Sequence, residues 1–83
     1  MVGKEAYNLF TDNYHNLDVL TAYEFDSVFV FNTKPKNVTL KENDTIFDYS
    51  FSVDKKTGEI KAFQPFFIPI EEYRNGKEIK DFK

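Results

Sequence analysis

Apolar residues Val2, Ala6, Leu9, Phe10, Tyr14 and Leu17 recur at intervals of three and four, the spacing of one face of an α-helix. This predicts a helix over about residues 3–16. Asn13 and Asn16 serve as its stop signals, because asparagine, after glycine, most readily adopts the left-handed conformation that ends a helix. One apolar stripe needs a second layer to lie on. Downstream the period changes to two. Val19, Thr21, Tyr23 and Phe25 alternate with more polar neighbours, and Asp26-Ser27 reads as a tight turn or bulge. Val28-Phe29-Val30-Phe31 is apolar at every position, as suits a central strand covered on both faces. The stretch Asn32 to Lys36, with Pro35, closes it.

Residues 37–45 are polar and read as a loop. Phe47, Tyr49, Phe51 and Val53 then alternate with Asp48, Ser50, Ser52 and Asp54, the pattern of a half-exposed antiparallel strand. Asp54-Lys55-Lys56-Thr57-Gly58 follows as a turn. The Asp54 carboxylate can accept backbone N–H bonds, and Gly58 can take positive φ where the chain re-enters a strand, so Asp54, Thr57 and Gly58 are its structural residues. The returning strand spans about Glu59 to Phe63, and Pro65 ends it. The last segment has two readings. Asn75-Gly76 is a hairpin signal, but its flanks do not alternate cleanly. A short helix over 69–75 fits better, with Pro69 at its first position, Glu71 and Glu72 in the first turn, Arg74 in the last and Gly76 as the C′ residue. The expected fold is therefore α+β: one domain over 1–83, an N-terminal helix packed on a roughly four-stranded antiparallel meander, and a short C-terminal helix.

Composition sharpens this picture. In 83 residues there are ten Phe and five Tyr, no Trp and no Cys. Without disulfides a domain this small depends on its apolar core, and each buried Phe contributes about 1.5–3 kcal/mol. A single His and no Cys supply no zinc set. The net charge of −3 argues against a nucleic-acid partner, which needs a basic face. The acidic excess is concentrated before residue 33, where Lys4 stands alone against Glu5, Asp12, Asp18, Glu24 and Asp26. No apolar run approaches the ~20 residues of a membrane span, and the N-terminal residues lack the basic and apolar regions of an export signal. A cytoplasmic protein is expected. Lysine outnumbers arginine, and Asn, Phe and Ile are frequent, an AT-rich coding bias that suggests a bacterium or its phage. The N-x-T triplets at Asn37 and Asn43 read as chance occurrences in an Asn-rich chain.

The segment Val53-Asp54-Lys55-Lys56-Thr57-Gly58-Glu59-Ile60 resembles the V-D-x-x-T-G-x-[IV] hairpin of PepSY-like domains. It is also similar to hairpins of small bacterial toxin-immunity proteins, built as a helix on a β-meander. The likeness covers about a tenth of the chain. It implies a helix-plus-meander shape and a binding rather than a catalytic role.

The residues offer little for catalysis. His15, the only histidine, falls at the end of the predicted helix, with no nucleophile or orienting acid nominated beside it. Asp48 and Asp54 share strand parity but lie too far apart to chelate one ion. The three glycines, Gly3, Gly58 and Gly76, are too scattered for a phosphate-binding loop. No cofactor or metal is expected. The aromatic strands lack the basic companions of an RNA-binding sheet. Phe63 to Tyr73 is the most apolar stretch; the chain has only residues 64–83 left to cover the second face of the sheet, and Pro65 and Pro69 keep the first part of them from packing as a regular element. Phe66, Phe67, Ile68 and Tyr73 are therefore the expected partner contacts, three aromatic side chains and one aliphatic, rimmed by Glu71, Glu72 and Arg74. These features together predict a non-catalytic protein-binding module, such as an immunity, inhibitor or phage accessory protein. A structural or assembly protein acting as a homo-oligomer is the alternative, and a homodimer is compatible with either.

Overall fold

The computed structural model describes residues 1–36 and 50–82. The predicted polar loop, the Phe47–Tyr49 part of the alternating strand and both N-x-T triplets lie outside the described residues.

Helix α1 spans Gly3–Asn13 and buries Ala6 and Phe10. At its start the Glu5 carboxylate accepts the Val2 N–H at 2.9 Å, satisfying a donor the helix itself cannot pair. At its end the Asn13 amide donates to the Leu9 carbonyl at 2.8 Å. The helix closes at Asn13, short of the predicted residue 16, because Tyr14 leaves the helical region at φ −131°. The Tyr14 ring instead stacks on Phe10, with centroids 5.1 Å apart, and meets Phe51 at 5.0 Å.

Among the described residues five strands follow: β1 (Leu17–Glu24), β2 (Val28–Pro35), β3 (Ser50–Asp54), β4 (Ile60–Ala62) and β5 (Lys77–Ile79). A 3-10 turn (Pro65–Phe67) and helix α2 (Ile70–Arg74) separate the last two. The sheet order is β4-β3-β2-β1-β5, and every neighbouring pair is antiparallel. The first four strands form the predicted meander. The chain then crosses back over the sheet and adds β5 alongside β1. The only sequence signal for this fifth strand is the Asn75-Gly76 hairpin reading, of which it is one flank; Lys77-Glu78-Ile79 is too short and too polar to alternate, and it pairs with Ala22, Tyr23 and Glu24 of β1, not with the segment before Asn75.

Asp26-Ser27 is a tight turn, closed by the Phe25 N–H donating to the Val28 carbonyl at 2.9 Å. In β1 the register slips between Val19 and Thr21, a bulge at Leu20 that changes which residues face which way. Val19 and Ala22 join the helix-side core, whereas Tyr23 and Phe25 lie on the opposite side. The alternation from Val19 to Phe25 thus does not describe one face.

Both faces of the sheet are covered. On the helix side Ala6, Phe10, Phe29, Phe31 and Val53 have no exposed surface, and Phe82 closes the cluster beside Tyr7. On the other side Phe25, Val30 and Phe63 are buried, with Tyr23, Val28 and Ile68 packed around them. β2 separates the two clusters, as its unbroken apolar run requires. The expectation of a half-exposed β3 does not hold: Ser50 and Ser52 are buried, because the returning chain covers their face. Polar groups there are paired across three strands. The Asn32 side-chain amide donates to the Thr21 hydroxyl at 2.9 Å, and the Ser50 hydroxyl donates to the Asn32 side-chain oxygen Oδ1 at 2.7 Å. No helix among the described residues is long and apolar enough to cross a membrane.

Candidate functional site

The second face is shaped from the β3–β4 turn outward. There the Asp54 carboxylate accepts the Lys56 N–H at 2.7 Å and the Thr57 N–H at 2.9 Å. The Gly58 N–H donates to the Asp54 carbonyl at 2.8 Å, and Gly58 has φ 75°, the left-handed region that favours glycine. The Thr57 hydroxyl accepts the Glu59 N–H at 3.2 Å. All three predicted turn residues thus act in one structure. The Thr57 and then the Lys56 backbone N–H groups hold the Asp54 carboxyl below its ordinary value.

A second group of contacts docks the C-terminal segment on the same end of the sheet. Glu72 of α2 accepts both the backbone N–H and the hydroxyl of Ser27, at 2.9 and 2.6 Å. Lys55 donates its backbone N–H to the Ser27 carbonyl at 3.0 Å and pairs its ammonium with Glu24 at 2.9 Å. Pro69 precedes the first helical residue of α2 as its cap, one position earlier than predicted. Gly76 occupies the C′ place but does not adopt positive φ. Its lack of a side chain serves a close approach instead: a Cβ there would overlap the Phe25 ring.

Phe25 is the hub of a chain of rings. Tyr73 stacks on it at 5.6 Å and Phe63 at 6.3 Å. Phe67 meets Phe63 edge-on at 6.3 Å, and Phe66 meets Phe67 edge-on at 4.9 Å. The chain runs from the core into solvent: Phe63 is 4% exposed, Phe67 56% and Phe66 79%. Ile70 and Tyr73 are also exposed, and Ile68 is half-buried against Phe63. The structure therefore places the four predicted contact residues on one face. Phe66, Phe67 and Tyr73 present surface, while Ile68 mainly anchors the segment. Ile70, the first residue of α2, is a further exposed apolar residue of this segment.

Between the 3-10 turn and the sheet lies a groove of about 420 Å³. Val28, Ser52 and Phe63 line it together with Phe67 and Ile68, and Glu59 and Lys61 border it. Its chemistry is apolar with a charged rim. A more open depression of about 570 Å³ at the other end of the sheet contains Asp12, His15, Asp18 and Lys34. Among the described residues no group of three or more His, Asp or Glu could hold a metal ion. No family model, curated protein or solved structure matches this chain.

Proposed function

We propose that this chain is a non-catalytic protein-binding module that docks an apolar segment of another protein on Phe66, Phe67, Ile70 and Tyr73. One observation carries the reading: Phe66 and Phe67 are more than half exposed and stand edge-on to each other, with Phe67 edge-on to the buried Phe63. A ring already packed on a buried neighbour, as Phe67 is on Phe63, has less conformational freedom to lose on binding. Exposed apolar patches rimmed by polar residues mark interaction sites, and Glu71 and Arg74 are charged residues of the same segment. The residue types support a non-catalytic role, with one imidazole, no thiol and no glycine-rich loop in the whole sequence. The lysine-rich, AT-biased composition favours a bacterial or phage protein, and an immunity, inhibitor or accessory role in the cytoplasm fits these features.

The test is cross-linking of the tagged chain in a bacterial host, followed by calorimetric titration of the recovered partner with purified variants. Phe66→Ala and Phe67→Ala should each weaken binding by about 2 kcal/mol or more, roughly 30-fold, while the chain stays folded. Wild-type affinity in both variants would refute this surface assignment.

A further inference from the structure

Strand β4 lies at one edge of the sheet, with no strand on its outer side among the described residues. Its inner side is fixed by two bonds of 2.9 Å: Asp54 N–H to the Glu59 carbonyl, and Phe63 N–H to the Ser50 carbonyl. With Ser52 opposite Lys61, this directs the backbone groups of Glu59, Lys61 and Phe63 toward β3. By the alternation of an antiparallel ladder, the N–H and C=O groups of Ile60 and Ala62 point outward. The side chains divide in the same alternating way. Ile60 packs against the helix-side core. Glu59 and Lys61 share the other face, where their charged groups stand 3.6 Å apart and are 60% and 65% exposed.

From this edge we infer that the chain self-associates through β4, antiparallel to a second copy, about a two-fold axis at Ile60. In that register the two Ile60 residues form a hydrogen-bonded pair that exchanges both backbone bonds. Glu59 of each copy then lies directly opposite Lys61 of the other, in the closely spaced non-hydrogen-bonded positions where opposite charges attract. The charge order selects this register. Moving the axis to Lys61 would set lysine against lysine, a destabilising like-charge pair. An exposed lysine normally protects a sheet edge from pairing; here Glu59 two residues away offsets that protection in one register only.

The two-fold axis stands perpendicular to the sheet. Both α1 helices therefore lie on one side of a continuous ten-stranded sheet, and both aromatic faces lie on the other. Glu59 and Lys61 border the groove, so the two grooves flank the junction. The paired segment is short, which places this contact among weak, reversible associations.

Sedimentation equilibrium of the full chain at low salt, from about 10 µM to 1 mM, tests the inference. The wild type should show a monomer–dimer equilibrium that weakens as salt is added. Glu59→Lys and Lys61→Glu should each weaken it about tenfold or more. The double variant E59K/K61E should restore it, because the opposite charges face each other again. Phe66→Ser should leave it unchanged. Circular dichroism would establish that each variant is folded. A wild type that stays monomeric, single variants that dimerise like the wild type, or a double variant that stays as weak as the singles would overturn the inference. So would self-association that ignores the charge swaps and disappears in Phe66→Ser, since that would assign it to the aromatic face.

Discussion

At Asp54 one carboxylate holds the β3–β4 turn by accepting two backbone N–H groups, from Lys56 and Thr57. These bonds favour the ionised form, so the folded chain binds this proton less tightly than the unfolded chain does. A depressed carboxyl value has a definite sign in linkage. The stabilisation is fully present above the unfolded carboxyl value, near pH 4, and is lost as pH falls through the lower folded value. Asp54→Asn should therefore be less stable than the wild type at neutral pH, and the difference should shrink below about pH 4. Urea denaturation midpoints of both proteins from about pH 2 to 7 measure this; a constant gap would show that the carboxylate charge contributes nothing. The chemistry of this turn is legible in sequence because it is local: an Asx residue, a hydroxyl and a glycine at fixed offsets determine it. Gly76 is different. Its place after a helix is legible, but the need for a missing side chain comes from Phe25, about fifty residues away in the chain.

The docking of α2 and β5 depends on that approach. α2 has only five residues and buries none of them fully, so it has little stability of its own. Its position comes from the Glu72 bonds to Ser27, the Tyr73–Phe25 stack and the close passage of Gly76. Gly76→Ala would drive a methyl group into the Phe25 ring, an overpacking change that costs about 1–3 kcal/mol. Because the clash lies where α2 leads into β5, it should loosen the C-terminal segment before the rest of the sheet. Hydrogen exchange should then speed up at Ser27 and along β5 while the β2–β3 ladder keeps its protection. Uniform acceleration would instead mean that the segment unfolds only with the whole chain. At this scale the sequence pattern identifies α1, the meander and the short helix, since each has a local period or cap. It does not reveal β5, which is a strand only through its partner, or the Leu20 bulge, which leaves apolar alternation intact while changing the face.

Across the whole molecule the aromatic residues fall into two populations that sequence alone does not separate. Phe10, Phe29 and Phe31 have no exposed surface, while Phe66 is 79% exposed. The pattern shows that both sheet faces need cover, but how much of the 64–74 segment goes into that cover depends on its ring contacts with Phe25 and Phe63. Truncation should reveal the division. Phe10 packs on Tyr14, Phe31 and Phe51, so Phe10→Ala leaves a cavity between helix and sheet and should cost about 3–5 kcal/mol. For a chain of this length total stability is roughly 4–12 kcal/mol, so that loss is a large fraction of it. Thermal denaturation should show a fall in midpoint of about 12 °C or more, at roughly 4–8 °C per kcal/mol. Phe66→Ala removes a ring whose main contact is Phe67, itself exposed, and should stay within about 0.5 kcal/mol of the wild type. Equal losses in the two variants would make Phe66 a structural residue and remove the physical basis for a binding surface there. A large loss at Phe10 with almost none at Phe66 would leave an aromatic side chain that contributes little to folding, as expected of a residue retained to contact another molecule.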